Sequence, residues 1–496
     1  MMIEMKRFLF PGRWLLATIS LFALFTGCPA VGPDYVKPDL EVPQDWQSPK
    51  EDGLIPEPVP PEMLARWWTT LNDPVLSNLM VRAIAGNLDL QTAQARVKEA
   101  RARRGISSSG YYPTIDASGS ASKNRSSEVS GAPKEFKLYT AGFDAAWELD
   151  IFGGVRRSVE AAEADLSASQ EELNQVLVSL LAEVALNYID VRALQARITV
   201  AEENAAAQTE TYDLTRSRYK AGLTDELAVH GARYSLAGTL AQIPTLNIAL
   251  TGAKNRLAVL LGEAPGAVHL ELAEHAPIPV PPLAVAIGVP AETLRQRPDV
   301  RRAERALAAQ TARIGVAKAD LYPKFRLFGA LGYESLSTDD FFRSGNLAWS
   351  FGPSISWRLF SGGAIRQNIE VQTARQEQAL KQYQSAVLKA IEEAENALSA
   401  YVNEQKRRDN LIIARDAAAH AFTIARDQYR AGLVTFSDVL IAQRSLLSFE
   451  DQLAQSEGQV TTNLVRLYKS LGGGWTFHGD SPPLDGATET AAQKEN

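Results

Sequence analysis

ARRGISSSGYYP at residues 102–113 returns as ARIGVAKADLYP at 312–323, and RYKAGL at 218–223 returns as QYRAGL at 428–433. Both pairs have the same spacing, because 323 minus 113 and 432 minus 222 each give 210. Repeats of about 20 to 50 residues build solenoids and propellers. A period of 210 residues indicates instead a tandem duplication of one large structural half.

Two long tracts of the chain contain no proline, 134–243 and 354–481. Proline breaks helix interiors, so these tracts can hold very long helices. In both tracts apolar residues recur every three or four positions, which is the spacing of an amphipathic helix. The helix expected at 155–220 would be about 100 Å long at 1.5 Å per residue.

Each long helix is followed by a glycine, Gly222 in the first half and Gly432 in the second. Glycine at this position suits a left-handed C-terminal cap, after which a second helix returns antiparallel. The sequence therefore predicts one hairpin of long helices per half. The hairpins are expected at 155–261, with its tip near 222, and at 363–471, with its tip near 432.

Before each long helix the apolar period changes from helical spacing to two. Apolar and aromatic side chains alternate with small or polar ones in 139–151 and again in 347–359. Weaker alternation follows Pro113 and Pro323, which gives two strands in each half. The four strands are expected at about 112–125, 137–151, 322–335 and 346–360.

Such alternation is typical of outer-membrane barrel strands and equally of soluble sandwich strands. After the N-terminal segment no stretch of 18 or more apolar residues exists, so helices could not carry the chain across a membrane. Four strands are too few to close a barrel, whose known minimum is about eight. In a membrane the chain would have to pool strands with copies of itself, and the strand count leaves both a dimer and a trimer open.

The N-terminus has the order of a secretory signal peptide, expected at 1–27. Basic residues precede an apolar run at 14–25, and small residues precede Cys28, the only cysteine of the chain. FTGC resembles the bacterial lipobox, in which the cysteine is lipidated and begins the mature protein. Pro29, in place of aspartate, favours the outer membrane. The alternative is a cysteine without function inside the signal sequence.

Proline also marks the organisation of the rest of the chain. Nine prolines between 29 and 61 indicate an extended tether, so 28–62 is interpreted as a lipid-anchored N-terminal segment. A second proline-rich segment at 263–297 joins the halves. The structural repeats are therefore 63–262 and 298–475, each with a helix, two strands and a hairpin, followed by a polar tail at 476–496.

The composition excludes several classes of function. A net charge of −7 without a long run of one sign argues against nucleic acid as a partner. The five histidines show no metal-ligand spacing, and no nucleophile elbow, phosphate loop or dinucleotide fingerprint occurs. We therefore expect no enzyme, no metal and no cofactor beyond a covalent lipid on Cys28.

Five motifs resemble the outer-membrane efflux lipoproteins of the TolC and NodT group, and the resemblance covers nearly the whole mature chain. They are VGPDYVKP at 31–38, WWTTLNDPVL at 67–76, RQRPDVRRAE at 295–304, RIGVAKADLYP at 313–323 and AGLVTFSDVLIAQRSLL at 431–447. The resemblance implies an α+β membrane protein that forms a homotrimer. Twelve strands would form one β-barrel in the outer membrane, and twelve helices would continue it as an α-barrel through the periplasm.

The resemblance also implies a function and partners. The chain would be the lipid-anchored exit duct of a tripartite efflux pump in multidrug resistance. A periplasmic adaptor and an inner-membrane pump, usually of the resistance-nodulation-division class, would deliver small molecules to it. One alternative is the exit duct of a type I protein secretion system. Another is a lipoprotein whose helices scaffold the periplasm without forming a pore.

In this family the tips of the helical hairpins meet the adaptor. The alternative for these residues is structural, since alanine and glycine build the turn and leucine can pack locally. The residues at the two tips are Ala221, Gly222, Leu223, Thr224, Ala431, Gly432 and Leu433.

Asp438 stands where the resemblance places an acidic ring that narrows the periplasmic end of the tunnel. Carboxylates gathered there by threefold symmetry would attract cations and repel anions. Thr435 and Asp438 also fit a capping box at the start of the returning helix, which would explain both residues. The first repeat has Ala228 at the position equivalent to Asp438, although Asp225 and Glu226 could compensate. If the tunnel opens by moving one hairpin more than the other, we expect the second repeat to hold the gate.

Overall fold

A computed structural model describes most of the chain. The signal peptide expected at 1–27, Cys28 and the polar tail expected at 476–496 lie outside the described residues, as do parts of the tether. The described residues are 30–40, 42–47, 54–55, 60–125, 135–281, 285–288 and 290–475.

The described part of the chain is mostly helical. None of the helices in these ranges is both long and apolar enough to span a membrane. The α-helices are α1 (Pro61–Ala65), α2 (Pro74–Gly86), α3 (Leu88–Ser109), α4 (Gly154–Lys220), α5 (Glu226–Leu260), α6 (Pro290–Gln296), α7 (Pro298–Ala319), α8 (Ala364–Arg430) and α9 (Phe436–Ser470).

The strands form two sheets. β1 and β4 pair in parallel over two residues each, and the other four strands form one antiparallel sheet in the order β2-β3-β5-β6. The strands are β1 (Leu54–Ile55), β2 (Thr114–Arg125), β3 (Glu135–Leu149), β4 (Val285–Ala286), β5 (Lys324–Ser335) and β6 (Leu347–Ser356).

The secondary structure keeps the 210-residue spacing of the sequence. Helices α4 and α8 contain 67 residues each, and α5 and α9 contain 35 each. Their first residues keep the offset, because 364 minus 154 and 436 minus 226 both give 210. At a rise of 1.5 Å per residue each long helix extends about 100 Å. The predicted class is confirmed: each chain carries four long strands and two long helical hairpins, arranged as two copies.

The junction between strands and helices repeats with the same spacing. Trp147 donates its indole N–H to the carbonyl oxygen of Tyr111 at 3.1 Å, and Trp357 donates to that of Leu321 at 3.0 Å. The two copies are therefore equivalent in side-chain contacts at this point and not only in element order.

By internal contacts the chain divides into two compact units, and each unit takes segments from both repeats. The boundaries within the hairpins fall inside α4 and α8. The first unit has the described residues of Met1–Asp39, Arg96–Gln170 and Arg302–Gln384, which include the four-stranded sheet. The second unit has those of Leu40–Ala95, Glu171–Arg301 and Ser385–Asn496.

The hydrophobic core of the second unit is built around aromatic side chains. Trp67 is 1% exposed, stacks on Tyr468 with ring centroids 5.5 Å apart, and meets Trp68 edge-on at 6.0 Å. Tyr188 is equally buried and donates its hydroxyl to Asp73 at 2.6 Å. Burial and this hydrogen bond to a carboxylate raise the pKa of Tyr188 to about 12, so its hydroxyl stays protonated at neutral pH.

Candidate functional site

The four-stranded sheet has one apolar face and one polar face. Strand pairing places Ile115, Ala145, Gly329 and Phe351 in one row across the sheet, so all four point to the same side. The large apolar side chains of this side are exposed, with Phe143 at 60% and Phe351 at 77%. The exposed members of this apolar face are Ile115, Phe143, Leu327, Leu331, Leu347, Trp349, Phe351 and Ile355. A contiguous apolar surface of this kind marks an interaction site.

The opposite face carries mainly hydrogen-bonding side chains, with Phe328 as an exposed apolar exception. Ser120 and Thr140 share a hydrogen bond of 2.8 Å between their hydroxyls, and Arg326 donates to Glu148 at 3.2 Å. The small polar residues of this polar face include Ser118, Ser122, Ser350, Ser354 and Ser356. This face is suited to contact with water, whereas the other is suited to an apolar environment.

The outer strands of the sheet, β2 and β6, each pair on one side only within the described part of the chain. The 12 residues of β2 are all exposed. An unpaired strand edge presents free N–H and C=O groups, which cannot be left without partners in lipid. Any membrane location of the sheet therefore requires further strands at both edges.

Both hairpin tips are tight turns of the same type. Gly222 has φ of 71° and Gly432 has φ of 76°, the left-handed conformation that glycine adopts without a steric penalty. The N–H of Leu223 bonds to the carbonyl of Arg218, and that of Leu433 bonds to the carbonyl of Gln428, each at 2.9 Å. This is the Schellman pattern, and it satisfies the last carbonyl groups of each long helix.

The leucines of the tips are largely exposed in the described part of the chain. Leu223 is 65% exposed and Leu433 is 75% exposed. Ala221 and Ala431 are exposed as well, and Thr224 is half-buried. Exposed leucines are available to a partner, and adaptor docking at the tips stays a prediction.

The two tips lie side by side in the second unit. The guanidinium of Arg218 donates to the carbonyls of Tyr429 at 2.8 Å and Arg430 at 3.1 Å, and it lies 4.6 Å from the ring centroid of Tyr429. A cation at the C-terminus of α8 also complements the helix dipole. Phe436 is buried, and a Cβ added to Gly231 would lie 3.3 Å from its ring.

These contacts between hairpins were not predicted. A basic residue in the last turn of α4 indicates an interaction with its own helix end, but not with the end of a helix 210 residues further along the chain. Sequence spacing alone does not indicate which hairpin ends are neighbours.

Asp438 forms the capping box that its spacing predicts. Its carboxylate accepts a hydrogen bond from the backbone N–H of Thr435 at 2.9 Å and another from the Thr435 hydroxyl at 2.7 Å. In the first hairpin Asp225 is itself the N-cap and accepts from the N–H of Ala228 at 2.9 Å. Glu226 is exposed in the next position. An acidic side chain thus takes part in the capping hydrogen bonds of both returning helices, as the N-cap in α5 and at the third helical position in α9, and the gate remains a prediction.

The Asp438 carboxylate is ionised at neutral pH. Hydrogen bonds from the side chain and then from the backbone of Thr435 lower its pKa below the usual aspartate value. A lowered pKa means that the cap contributes to stability above the unfolded-state pKa, and this contribution is lost as the pH falls through the folded-state value. The negative charge required of an acidic ring is therefore present throughout the physiological range.

The N-terminal segment docks on the first unit through Arg157, a residue that sequence reasoning missed. The Arg157 side chain is 5% exposed and donates to Asp34 at 2.6 Å and to the carbonyl of Val31 at 3.2 Å. Gly315 permits this approach, since a Cβ there would lie 2.8 Å from the Val31 oxygen. The contact holds residues that follow Cys28 closely in sequence beside the start of α4.

Metal binding finds no support in the described part of the chain, where no group of three or more His, Cys, Asp or Glu side chains is arranged to hold a metal ion.

Comparison with known proteins gives concordant results. The family model described as outer membrane efflux protein matches residues 79–263 and 289–473, two segments that are again 210 residues apart. Nodulation protein T of Rhizobium leguminosarum bv. trifolii is 31% identical over 472 residues, covering 93% of this chain and 98% of the relative. The solvent efflux pump outer membrane protein SrpC of Pseudomonas putida is 29% identical over 469 residues, covering 92% and 98%.

A solved structure agrees with these relatives. The outer-membrane channel OprN superposes with a TM-score of 0.84 at 36% identity, covering 90% of this chain and 99% of that channel. The similarity therefore extends over both repeats.

Proposed function

Because the chain belongs to the outer membrane efflux protein family, whose members are efflux channels rather than enzymes, we propose that it is the exit duct of a tripartite efflux pump. It conducts small molecules passively from an inner-membrane pump and a periplasmic adaptor to the cell exterior. The observation that carries the proposal is the division of the sheet into an apolar and a polar face, in register across all four strands.

The apolar face meets lipid, and the polar face lines a water-filled passage. Exposed aromatic side chains such as Trp349 and Phe351 suit the lipid boundary, whereas the serine-rich side suits water. The two unpaired edges require further strands. Copies of the chain supply them, and the resemblance to the TolC and NodT group favours a homotrimer of twelve strands over a dimer of eight.

The helical hairpins continue the passage into the periplasm and carry the docking surface at their tips. Leu223 and Leu433 follow glycine turns and are largely exposed, which supports contact with an adaptor. The partner pump belongs to the resistance-nodulation-division class in this proposal.

A covalent lipid on Cys28 anchors the mature N-terminus in the outer membrane. No cofactor is proposed beside this lipid. The docking of Val31 and Asp34 on Arg157 supports this, because it holds residues that follow Cys28 closely in sequence beside the start of α4.

Conductance tests the proposed function directly. Purified full-length protein, with its lipid anchor, is incorporated into planar lipid bilayers, and single-channel currents are recorded alongside the mass of the assembly. We expect ion-conducting trimers. A monomer that inserts no conducting channels at any voltage would refute the proposal.

Replacement of Asp438 separates the gate from the cap. Asp438→Asn removes the carboxylate charge, and Thr435→Ala weakens the cap but keeps that charge. If Asp438 forms an acidic ring, Asp438→Asn lowers the preference for cations, whereas Thr435→Ala leaves it unchanged. The measurement is the reversal potential in a KCl gradient. Unchanged reversal potentials in both variants would leave Asp438 as a helix cap only.

A further inference from the structure

The apolar face of the sheet ends in a cluster of cations. Lys123 lies opposite Lys137 in the pairing of β2 with β3, and Arg125 follows two positions further along β2. Side chains alternate between the faces of a sheet with a period of two, so all three point to the same side as Ile115 and Phe143. All three are exposed. We call Lys123, Arg125 and Lys137 the cationic rim.

The cationic rim has an excess of positive charge. Lys123 and Lys137 are direct partners across the two strands, and like charges in this arrangement destabilise a sheet. The ammonium of Lys123 pairs at 3.0 Å with Glu135, which lies opposite Arg125. Three cations and one carboxylate leave two positive charges here, in a chain whose net charge is −7. An anion from outside the described part of the chain would relieve the repulsion.

The cationic rim lies at one border of the apolar face, at the end of the sheet away from the helices. Helix α3 precedes the first residue of β2, and α4 follows the last residue of β3, whereas Lys123 and Lys137 lie near the other ends of these strands. From Leu149 to Tyr139 the strand rises about 33 Å, which is about 25 Å across a membrane at a tilt of about 40°. An outer-membrane barrel has an apolar band of about this height. Lys137, two residues beyond Tyr139, therefore reaches the level of the lipid headgroups.

Aromatic side chains lie at the same border and on the same side. Tyr333 pairs with Ala141, so it belongs to the apolar side of the sheet. The rings of Phe341 and Phe342, in the connection between β5 and β6, lie 6.1 and 5.5 Å from the ring of Tyr333. Phe342 is 79% exposed. Aromatic rings are enriched where lipid chains meet headgroups, so this border has the composition of a membrane interface.

On the basis of the proposed outer-membrane location, we propose that the cationic rim binds the phosphate groups of the glycolipid in the outer leaflet. The two excess positive charges match the charge of a phosphate group, and lysine and arginine are the residues that hold phosphate in proteins. The acyl chains of the same lipid extend along the apolar face beside residues such as Phe143. A zwitterionic phospholipid brings no net charge to offset the repulsion between Lys123 and Lys137.

Lipid binding to the full-length, lipid-anchored protein in detergent tests the proposal. The two probes are lipid A with two phosphate groups and the same lipid A after enzymatic removal of both, and native mass spectrometry counts the molecules bound per chain. We expect the parent protein to bind the phosphorylated probe at least tenfold more tightly. Equal binding of the two probes would overturn the proposal, and this comparison needs no substitution in the protein.

Substitutions locate the phosphate groups. Lys123→Gln combined with Lys137→Gln should weaken binding of phosphorylated lipid A about thirtyfold, because each cation beside an anionic lipid contributes about a fivefold factor. Lys123→Arg combined with Lys137→Arg keeps both charges and should bind like the parent protein. The matched control is Lys324→Gln with Arg326→Gln. It removes two cations of β5 from the polar face at the other end of the sheet, and lipid binding should not change.

Each other outcome has a distinct meaning. Binding of phosphorylated lipid A that is equal in the parent protein and in the variant with both lysines replaced by glutamine excludes the cationic rim as the site. An equal loss in the β5 control indicates a general effect of charge and also overturns the proposal. Single-channel currents of the parent protein are recorded from the same preparation. Conducting trimers that do not distinguish the two probes overturn only this inference, whereas a protein without conducting channels refutes the exit duct itself.

Discussion

Phe143→Arg is expected to keep the protein out of the outer membrane. Phe143 lies at the middle of β3 on the apolar face and is 60% exposed in the single chain. An arginine facing lipid near the bilayer midplane costs about 2–4 kcal/mol, and a trimer would carry three of them. Membrane fractionation and the amount of trimer on mild gels measure the effect.

The neighbouring position provides the control. Asp144→Arg introduces the same side chain one residue further along β3, on the polar face opposite Asp116 and Ala330. That arginine would face water, so membrane insertion should stay at the level of the parent protein. Equal tolerance of both variants would contradict the assignment of the apolar face to lipid.

Arg297→Ala is expected to destabilise the second unit strongly. The Arg297 side chain is 5% exposed and donates to Asp299 at 2.7 Å, to Glu393 at 2.6 Å and to the carbonyl of Ser470 at 2.9 Å. It therefore joins the start of α7, the middle of α8 and the end of α9. Burial alone would lower its pKa, but the hydrogen bonds and charge of Asp299 and then Glu393 outweigh it and raise the pKa. The guanidinium stays charged.

Loss of a buried partner costs about 3–5 kcal/mol. Glu393 is 60% exposed and can be solvated after the substitution. We therefore expect the free energy of unfolding to fall by about 2–3 kcal/mol, at or below the lower end of that range. Denaturant unfolding of the detergent-solubilised protein measures the change. Arg297→Lys, which keeps the charge but cannot donate in a fork, should fall between the parent protein and Arg297→Ala.

A second arginine with two carboxylate partners serves as the matched control. Arg82 pairs with Glu263 and Glu271, both at 2.7 Å, but its side chain is 31% exposed. Arg82→Ala should cost no more than about 1 kcal/mol because solvent screens such pairs. If the two alanine variants lost equal stability, burial would not be the reason for the importance of Arg297.

The end of strand β3 cannot be predicted from the alternation of apolar and polar residues alone. Alternation continues to Ile151, yet β3 ends at Leu149. The Asp150 carboxylate accepts hydrogen bonds from the N–H groups of Val155 at 2.8 Å and Arg156 at 2.9 Å, so it begins α4 instead of extending the strand. Alternation with a period of two predicts which side chains could share a face of the sheet. The strand ends where Asp150 begins α4.

Pro244 lies inside the second arm of the first hairpin, which was predicted to extend to 261. Proline lacks the N–H that an interior helical position donates, so it indicates a break. Helix α5 nevertheless runs through Pro244 from Glu226 to Leu260. Packing of the rest of the helix, including the buried Leu250 and Leu257, keeps it continuous.

Some functional residues could be predicted from the sequence and others could not. The glycine turns at 222 and 432 and the capping box of Asp438 were predictable because each depends on residues within one turn of helix. The contact of Arg218 with Tyr429 and that of Arg157 with Asp34 join residues more than 100 positions apart. No local spacing indicates them.

The sequence by itself determined the duplication, the two kinds of period, the hairpins and their tips, because these follow from side-chain spacing along a single element. The tertiary structure decided that β3 lies beside β5, so that the two repeats join through one sheet and leave β2 and β6 at its edges. It also decided that the hairpin tips are neighbours and that Arg297 is buried among three helices. These arrangements depend on the pairing of backbone groups and the burial of charge between distant segments. Because the four strands have equivalent local patterns, the sequence alone does not indicate which strand pairs with which.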